Sequence, residues 1–214
     1  MKIYDISLPI TTTMPVWPGD PPVQLERISA ISDGENANVT LMHLCAHTGT
    51  HIDAPKHFID SGKTIEDIPL EKLIGEALVL HIAEDVEVIT ATVLETHPQK
   101  EMLLKAKKVL FRTHNSTLWA AHPCNFVEDY IGIDTSGATY LAELGLDLIG
   151  VDYLSIAPYK NTYEPHHILL GQEIVLLEAI NLSRVPQGFY QLFCLPVNIV
   201  GSDGAPARVI LAKD

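Results

Sequence analysis

The 214-residue sequence predicts a mixed, β-rich α/β fold, and three observations carry that expectation. Apolar and β-branched runs of strand length outnumber helical stretches, and the two kinds of element do not alternate regularly. No repeat, low-complexity tract or linker-like stretch divides the chain, so residues 1–214 read as a single domain. A doubly wound sheet needs regular alternation, so a mixed sheet or barrel with helices against it is expected.

The strand candidates, in chain order, are 2–8, 23–30, 39–46, 77–82, 108–112, 146–151, 174–177 and 190–196, each apolar or β-branched over strand length. Helical signals cover 90–94, then 98–106 after a break, and 136–144. For the last, Thr135 and Ser136 offer capping oxygens and Gly145 supplies a stop.

Composition narrows the partners. With 14 basic and 27 acidic side chains, the net charge of -13 makes a surface that repels phosphate backbones and anionic headgroups. Nucleic acid and membranes are therefore not expected partners; a small-molecule substrate is. The opening Met1-Lys-Ile-Tyr-Asp5 puts an acid where a signal peptide needs its apolar core, and no apolar run of about 18 residues follows, so a cytoplasmic protein is expected. Cys45, Cys124 and Cys194 are odd in number and widely spaced, which suits buried thiols rather than a disulfide framework.

Residues 41–58 hold His43, His47, His51, Asp53 and His57, so four of the chain's ten histidines fall in one short stretch. Gly49, Pro55 and the β-branched Thr48, Thr50 and Ile52 argue against a helix, and an extended segment is expected. Side chains alternate in such a segment, which would place His47, His51, Asp53 and His57 on one face. A straight strand would separate His47 and His51 by roughly 13 Å. Two ligands of one ion, each about 2.1 Å from it, lie only about 3 to 4 Å apart. The chain must therefore bend, and Gly49, midway between the two histidines, is the natural place. The competing reading is a polar face of solvated histidines.

Glu178 interrupts an apolar run, flanked by Ile174, Val175, Leu176, Leu177 and Ile180. A buried carboxylate there needs a compensating charge: a metal, or an ion pair with Arg184, Arg208 or a lysine. His166 precedes it by twelve residues with Gly171 between, so a turn could bring the two together. His167, read as its strand neighbour, would point the other way.

The stretch His47-Thr-Gly-Thr-His51-Ile-Asp53-Ala-Pro-Lys-His57 resembles the signature of the cyclase-like metal-dependent hydrolases, the family of bacterial kynurenine formamidase (arylformamidase). Trp17-Pro-Gly-Asp20, Gly150-Val-Asp152-Tyr-Leu-Ser155 and Ser202-Asp-Gly-Ala-Pro-Ala-Arg208 extend the likeness over almost the whole chain. The resemblance implies a swivelling β/β/α domain, a homodimer or homotetramer, and one or two divalent ions. It assigns His47, His51, Asp53, His166 and Glu178 to the metal, His57 to proton transfer and Trp17 to the substrate pocket. It offers no fixed role for His43.

Imidazole and carboxylate without thiolate suit Zn²⁺ first, with Mn²⁺ as the alternative. Such an ion lowers the pKa of bound water to about 7 and polarises a carbonyl, which makes amide or ester hydrolysis the expected chemistry. By the resemblance, the reaction is attack of a metal-bound hydroxide on N-formyl-L-kynurenine, releasing formate and kynurenine, a step of tryptophan degradation. An isatin hydrolase-like opening of a cyclic amide or lactone is the alternative, and a non-catalytic metal-binding protein on the same fold a third reading. The stretch 114–130, with Trp119, His122 and Phe126, carries no interpretable signal beyond packing.

Overall fold

From Ala77 to Leu80 the chain has four consecutive apolar residues, and all four are fully buried. A strand can hide both faces only when it lies between two packed layers. Ala77 and Val79 join one core cluster, while Leu78 and Leu80 join another. The same division recurs at Leu110 against Val109 and Phe111, and at Leu177 against Leu176. One core fills the inside of a barrel and the second lies between the barrel wall and the helices. Each fully buried Leu or Val contributes about 1.5–3 kcal/mol to holding the layers together.

The computed structural model describes residues 1–213. Its strands are β1 (Lys2–Asp5), β2 (Gln24–Ser29), β3 (Val39–His43), β4 (His51–Asp53), β5 (Ile74–His81), β6 (Lys108–Arg112), β7 (Leu148–Val151), β8 (Val175–Glu178), β9 (Gly188–Pro196) and β10 (Gly204–Lys213). Its α-helices are α1 (Leu70–Leu73), α2 (Ala91–Glu95), α3 (Lys100–Leu103), α4 (Leu118–Ala121), α5 (Thr135–Glu143) and α6 (Tyr163–Gly171). The main sheet runs β1-β10-β4-β8-β7-β6-β5-β9, and β9 pairs back onto β10. Seven strands thereby close into a barrel. β10 makes this closure possible because its first residues pair with β4, its last with β1, and its other edge with β9. The hairpin β2–β3 stands apart as a two-stranded sheet. Among the described residues no helix is long and apolar enough to cross a membrane.

The expected mixed, β-rich fold is the observed one, and individual elements depart from the expectation. β10, the longest strand, was not among the candidates: Pro206 and Arg208 interrupt its apolar pattern. Nor was α6, whose Pro165 lies in the first helical turn, where no intrahelical N–H is lost. At α5 the cap is Asp134, which accepts from Gly137 N at 2.8 Å, rather than Thr135 or Ser136. Of the three free thiols only Cys194 is buried; Cys45 is half-buried and Cys124 exposed.

Candidate metal centre

The segment expected to be one bent strand is three structures in succession. Residues 44–50 form turns, 51–53 form β4, and Pro55–His57 is a single 3-10 turn. Gly49 has φ +65, the left-handed conformation open to glycine, so the expected bend is there. Alternation on one strand holds only for His51 and Asp53. His47 arrives from the turn and His57 from the 3-10 element, and packing rather than strand periodicity gathers them.

Register brings in the distant residues. β4 runs antiparallel between β8 and β10, with His51 opposite Glu178 and Asp53 opposite Gly204. Glu178, the last residue of β8, is buried, and among the described residues no lysine or arginine pairs with it. Its Oε1 accepts from Ile156 N at 2.6 Å, and its Oε2 lies 3.5 Å from His51 Nε2. Arg208, once its candidate counter-ion, makes a bidentate pair with Asp5 instead. From α6, His166 Nε2 reaches Glu178 Oε1 at 3.3 Å and Asp53 Oδ2 at 3.9 Å. His167 sits on the helix, not on a strand, and stacks on Tyr163 at 5.3 Å.

Hydrogen bonding fixes which nitrogens can bind a cation. His51 Nδ1–H donates to Gly49 O at 2.8 Å and His166 Nδ1–H donates to Thr162 O at 2.6 Å, so in both rings the lone pair is on Nε2. Both Nε2 atoms face the carboxylates of Asp53 and Glu178. His51 Nε2 and Asp53 Oδ2 are buried with no hydrogen-bond partner. Acceptors converging with no proton between them are costly unless a cation joins them. The donor set of nitrogen and oxygen suits a divalent first-row ion. His51, Asp53 and Glu178 place ligand atoms within 4.8 Å of one another, as do His47, Asp53 and His57. Asp53 belongs to both sets.

His47 is held between two acids: Nδ1 is 2.8 Å from Asp53 Oδ1 and Nε2 is 2.9 Å from Asp203 Oδ2. Burial alone would lower its pKa, but Asp53 and then Asp203 overcome this and raise it to about 10. Burial likewise opposes ionisation of Asp53, yet the charges of His47 and His57 hold its carboxyl well below the ordinary range. For His166, desolvation is outweighed by Glu178, and the pKa is raised. His47 also stacks on His57, with ring centroids 3.9 Å apart.

His47, His51, His57, His166, Glu178 and Asp203 floor a cavity of about 370 Å³ whose wall includes Trp17, Phe58, Leu154 and Ser155, with Asp53 buried outside its lining. Behind Trp17 lie Phe126, edge-on at 5.3 Å, and Tyr159 at 5.5 Å. Trp119 stacks on Tyr153 and donates to Ile180 O at 3.1 Å, so the stretch 114–130 both packs and backs the pocket. Exposed His43 at the end of β3 takes no part. Sequence reasoning missed Asp203 and Gly204 as site residues, although both fall in the quoted C-terminal motif. A carboxylate and a glycine there carry no spacing signal pointing toward His47.

A closed barrel with a buried histidine–carboxylate cluster at the end of its central strands defines a class of metal-binding α/β proteins. The chain belongs to the family described as "Putative cyclase", whose model matches residues 4–158. It is 38% identical to Cyclase-like protein 1 of Arabidopsis thaliana, over 99% of this chain and 85% of that protein. It is 35% identical to the kynurenine formamidase of Salinibacter ruber, over 99% and 97% respectively. Among solved structures, a potential metal-dependent hydrolase with cyclase activity superposes with TM-score 0.82 at 30% identity, over 98% of this chain and 96% of that one. Isatin hydrolase A of Labrenzia aggregata shares the fold, with TM-score 0.83 at 23% identity over 100% and 94%.

Proposed function

We propose that the protein is a metal-dependent amide hydrolase of arylformamidase type, cleaving the formamide of N-formyl-L-kynurenine or a close aryl analogue. The observation that carries this reading is the pair of unpartnered buried atoms, His51 Nε2 and Asp53 Oδ2, which face Glu178 beneath an aromatic-walled cavity. His47, His51, Asp53, His166 and Glu178 are the proposed holders of one or two ions, zinc first and manganese second. When bound, such an ion supplies Lewis acidity toward a carbonyl and lowers the pKa of water.

The chain's own groups supply the rest. Trp17, braced by Phe126 and Tyr159, offers a flat face for an aryl ring, and offset aromatic pairs contribute about 0.5–1.5 kcal/mol beyond area burial. His57 lines the same cavity and carries the proton to the departing amine. Ile156 N donates to Glu178 Oε1 and so favours the carboxylate's place at the floor. The 35% identity to a kynurenine formamidase supports the formamide, while the fold alone, shared with an isatin hydrolase, does not choose between substrates.

The test is a metal count on the purified protein together with rates on N-formylkynurenine, isatin and simple aryl esters, before and after chelation. Chelator-sensitive turnover of the formamide is expected. No turnover of any of the three by metal-replete protein would sink the reading.

A further inference from the structure

Asp203 stands outside the His47–His57 motif and outside both ligand sets, yet its carboxylate touches two of the site's histidines. Its Oδ2 lies 2.9 Å from His47 Nε2 and 3.2 Å from His57 Nδ1. We propose that Asp203 is a positioning residue that fixes the His57 ring, and with it His47, in the orientation hydrolysis needs. The proposal rests on the hydrolase reading above.

Three observations support it. The first is that the backbone under Asp203 is tied to the segment that carries His57: Ala54 N donates to Asp203 O at 2.9 Å, and Ile65 N donates to Ser202 O at 3.0 Å. Ser202 Oγ closes the strap by donating to Gly204 O at 2.7 Å. The carboxylate is thus built on a rigid edge rather than a free loop. The second is that Gly204 brings this strap flat against His47: a Cβ there would lie 2.5 Å from His47 Cε1. The His47 ring is held between backbone on one side and the His57 ring on the other.

The third is chemical. An acceptor at His57 Nδ1 requires the proton on that nitrogen, which leaves the Nε2 lone pair to exchange a proton with substrate. An acceptor at His47 Nε2 likewise turns Nδ1 toward Asp53, the side where a cation would sit. The Asp203 side chain is 45% exposed, and carboxylate–imidazole pairs so open to water contribute little to stability. Orientation is what this geometry supplies.

The experiment compares wild type with Asp203→Ala and Asp203→Asn at saturating zinc, measuring metal per chain, kcat, KM and the long-range 15N–1H NMR signals of the histidine rings. For Asp203→Ala we expect kcat to fall about 10- to 100-fold with KM within about twofold, as for loss of other outer carboxylates around ligating histidines. Metal content should hold, and the His57 ring should lose its single Nδ1–H form. Asp203→Asn, which keeps one acceptor oxygen, should recover part of kcat. The idea is overturned by unchanged kcat, by a rise in KM alone, or by loss of folded protein in both variants. If wild type turns over no substrate the hydrolase reading fails, and the ring signals still decide: an unaltered His57 tautomer in Asp203→Ala overturns the positioning role.

Discussion

His166 Nε2 and Glu178 Oε1 stand 3.3 Å apart, and neither has a proton to share. His166 has committed its N–H to Thr162 O, and Glu178 already accepts from Ile156 N. Opposed acceptors at that distance need either a cation or a captured proton, which is why Glu178 raises the His166 pKa. Glu178→Gln removes a ligand charge without removing volume. Metal affinity should drop at least about tenfold, with the zinc-induced rise in melting temperature largely lost. The metal-free variant should be less stable than wild type at pH 6.5 and below, because the carboxylate that raises the His166 pKa is gone. Thermal melts with and without zinc test both halves; an undiminished zinc shift would refute the ligand role.

Much of this was legible in the sequence, and the failures have a common cause. The bend at Gly49 followed from the distance two histidines must close, and the burial of Glu178 from its apolar neighbours. What could not be read was pairing. β4 has only three residues, and its meaning comes from lying between β8 and β10, which are far away in the chain. α6 carries Tyr163-Glu-Pro-His-His, a poor helix signal, and it forms because Leu169 and Leu170 bury against the outer core. Asp203 was quoted in a motif and given no role, since nothing local links it to a histidine 156 positions earlier.

His47 yields a pH prediction for the metal-free protein. Its folded pKa of about 10 lies above the ordinary 6.5, so its contribution to stability is complete below pH 6.5 and is lost as pH rises toward 10. Between those limits the metal-free protein should lose up to about 1.4 kcal/mol per pH unit from this group. Urea midpoints at pH 6, 7, 8 and 9 in chelator should therefore decline steadily. An ion bound at His47, as proposed above, would displace the proton, and the zinc-loaded protein should then decline less. Parallel pH profiles with and without zinc would contradict the assignment.

Gly204→Ala tests the strap from the backbone side. The added Cβ would meet all three near atoms of the His47 ring at 2.5–3.0 Å, and neither Asp53 nor His57 leaves room for the ring to retreat. Overpacking of this kind destabilises by about 1–3 kcal/mol. Activity should fall more steeply than stability, because displacing His47 also moves Asp53's partner. A variant with wild-type metal content and turnover would show that the ring moves freely.

His57 stands in a ligand-capable set with His47 and Asp53, yet its Nδ1 is engaged by Asp203. The two roles separate cleanly in His57→Ala. If it carries protons, the variant should keep its metal and lose about 10²- to 10⁴-fold in kcat. Metal analysis beside the rate measurement decides, and loss of an ion would place His57 among the ligands.

Phe126→Ala probes the aromatic wall without touching the metal cluster. Phe126 meets Trp17 at 5.3 Å, Tyr159 at 5.3 Å and Tyr153 at 6.1 Å, so it is the ring that ties Trp17 to the pocket's back wall. Its removal leaves Trp17 with Tyr159 as its one remaining ring contact among the described residues. An aryl substrate would then meet a wall that must be ordered on binding, and ordering one bulky side chain costs about 0.5–1.5 kcal/mol. KM for an aryl formamide should rise about two- to tenfold while kcat stays near wild type. N-methylformamide, which has no ring to stack, should show no such rise in KM. An equal effect on both substrates would mean that Phe126 supports the fold rather than the aryl site.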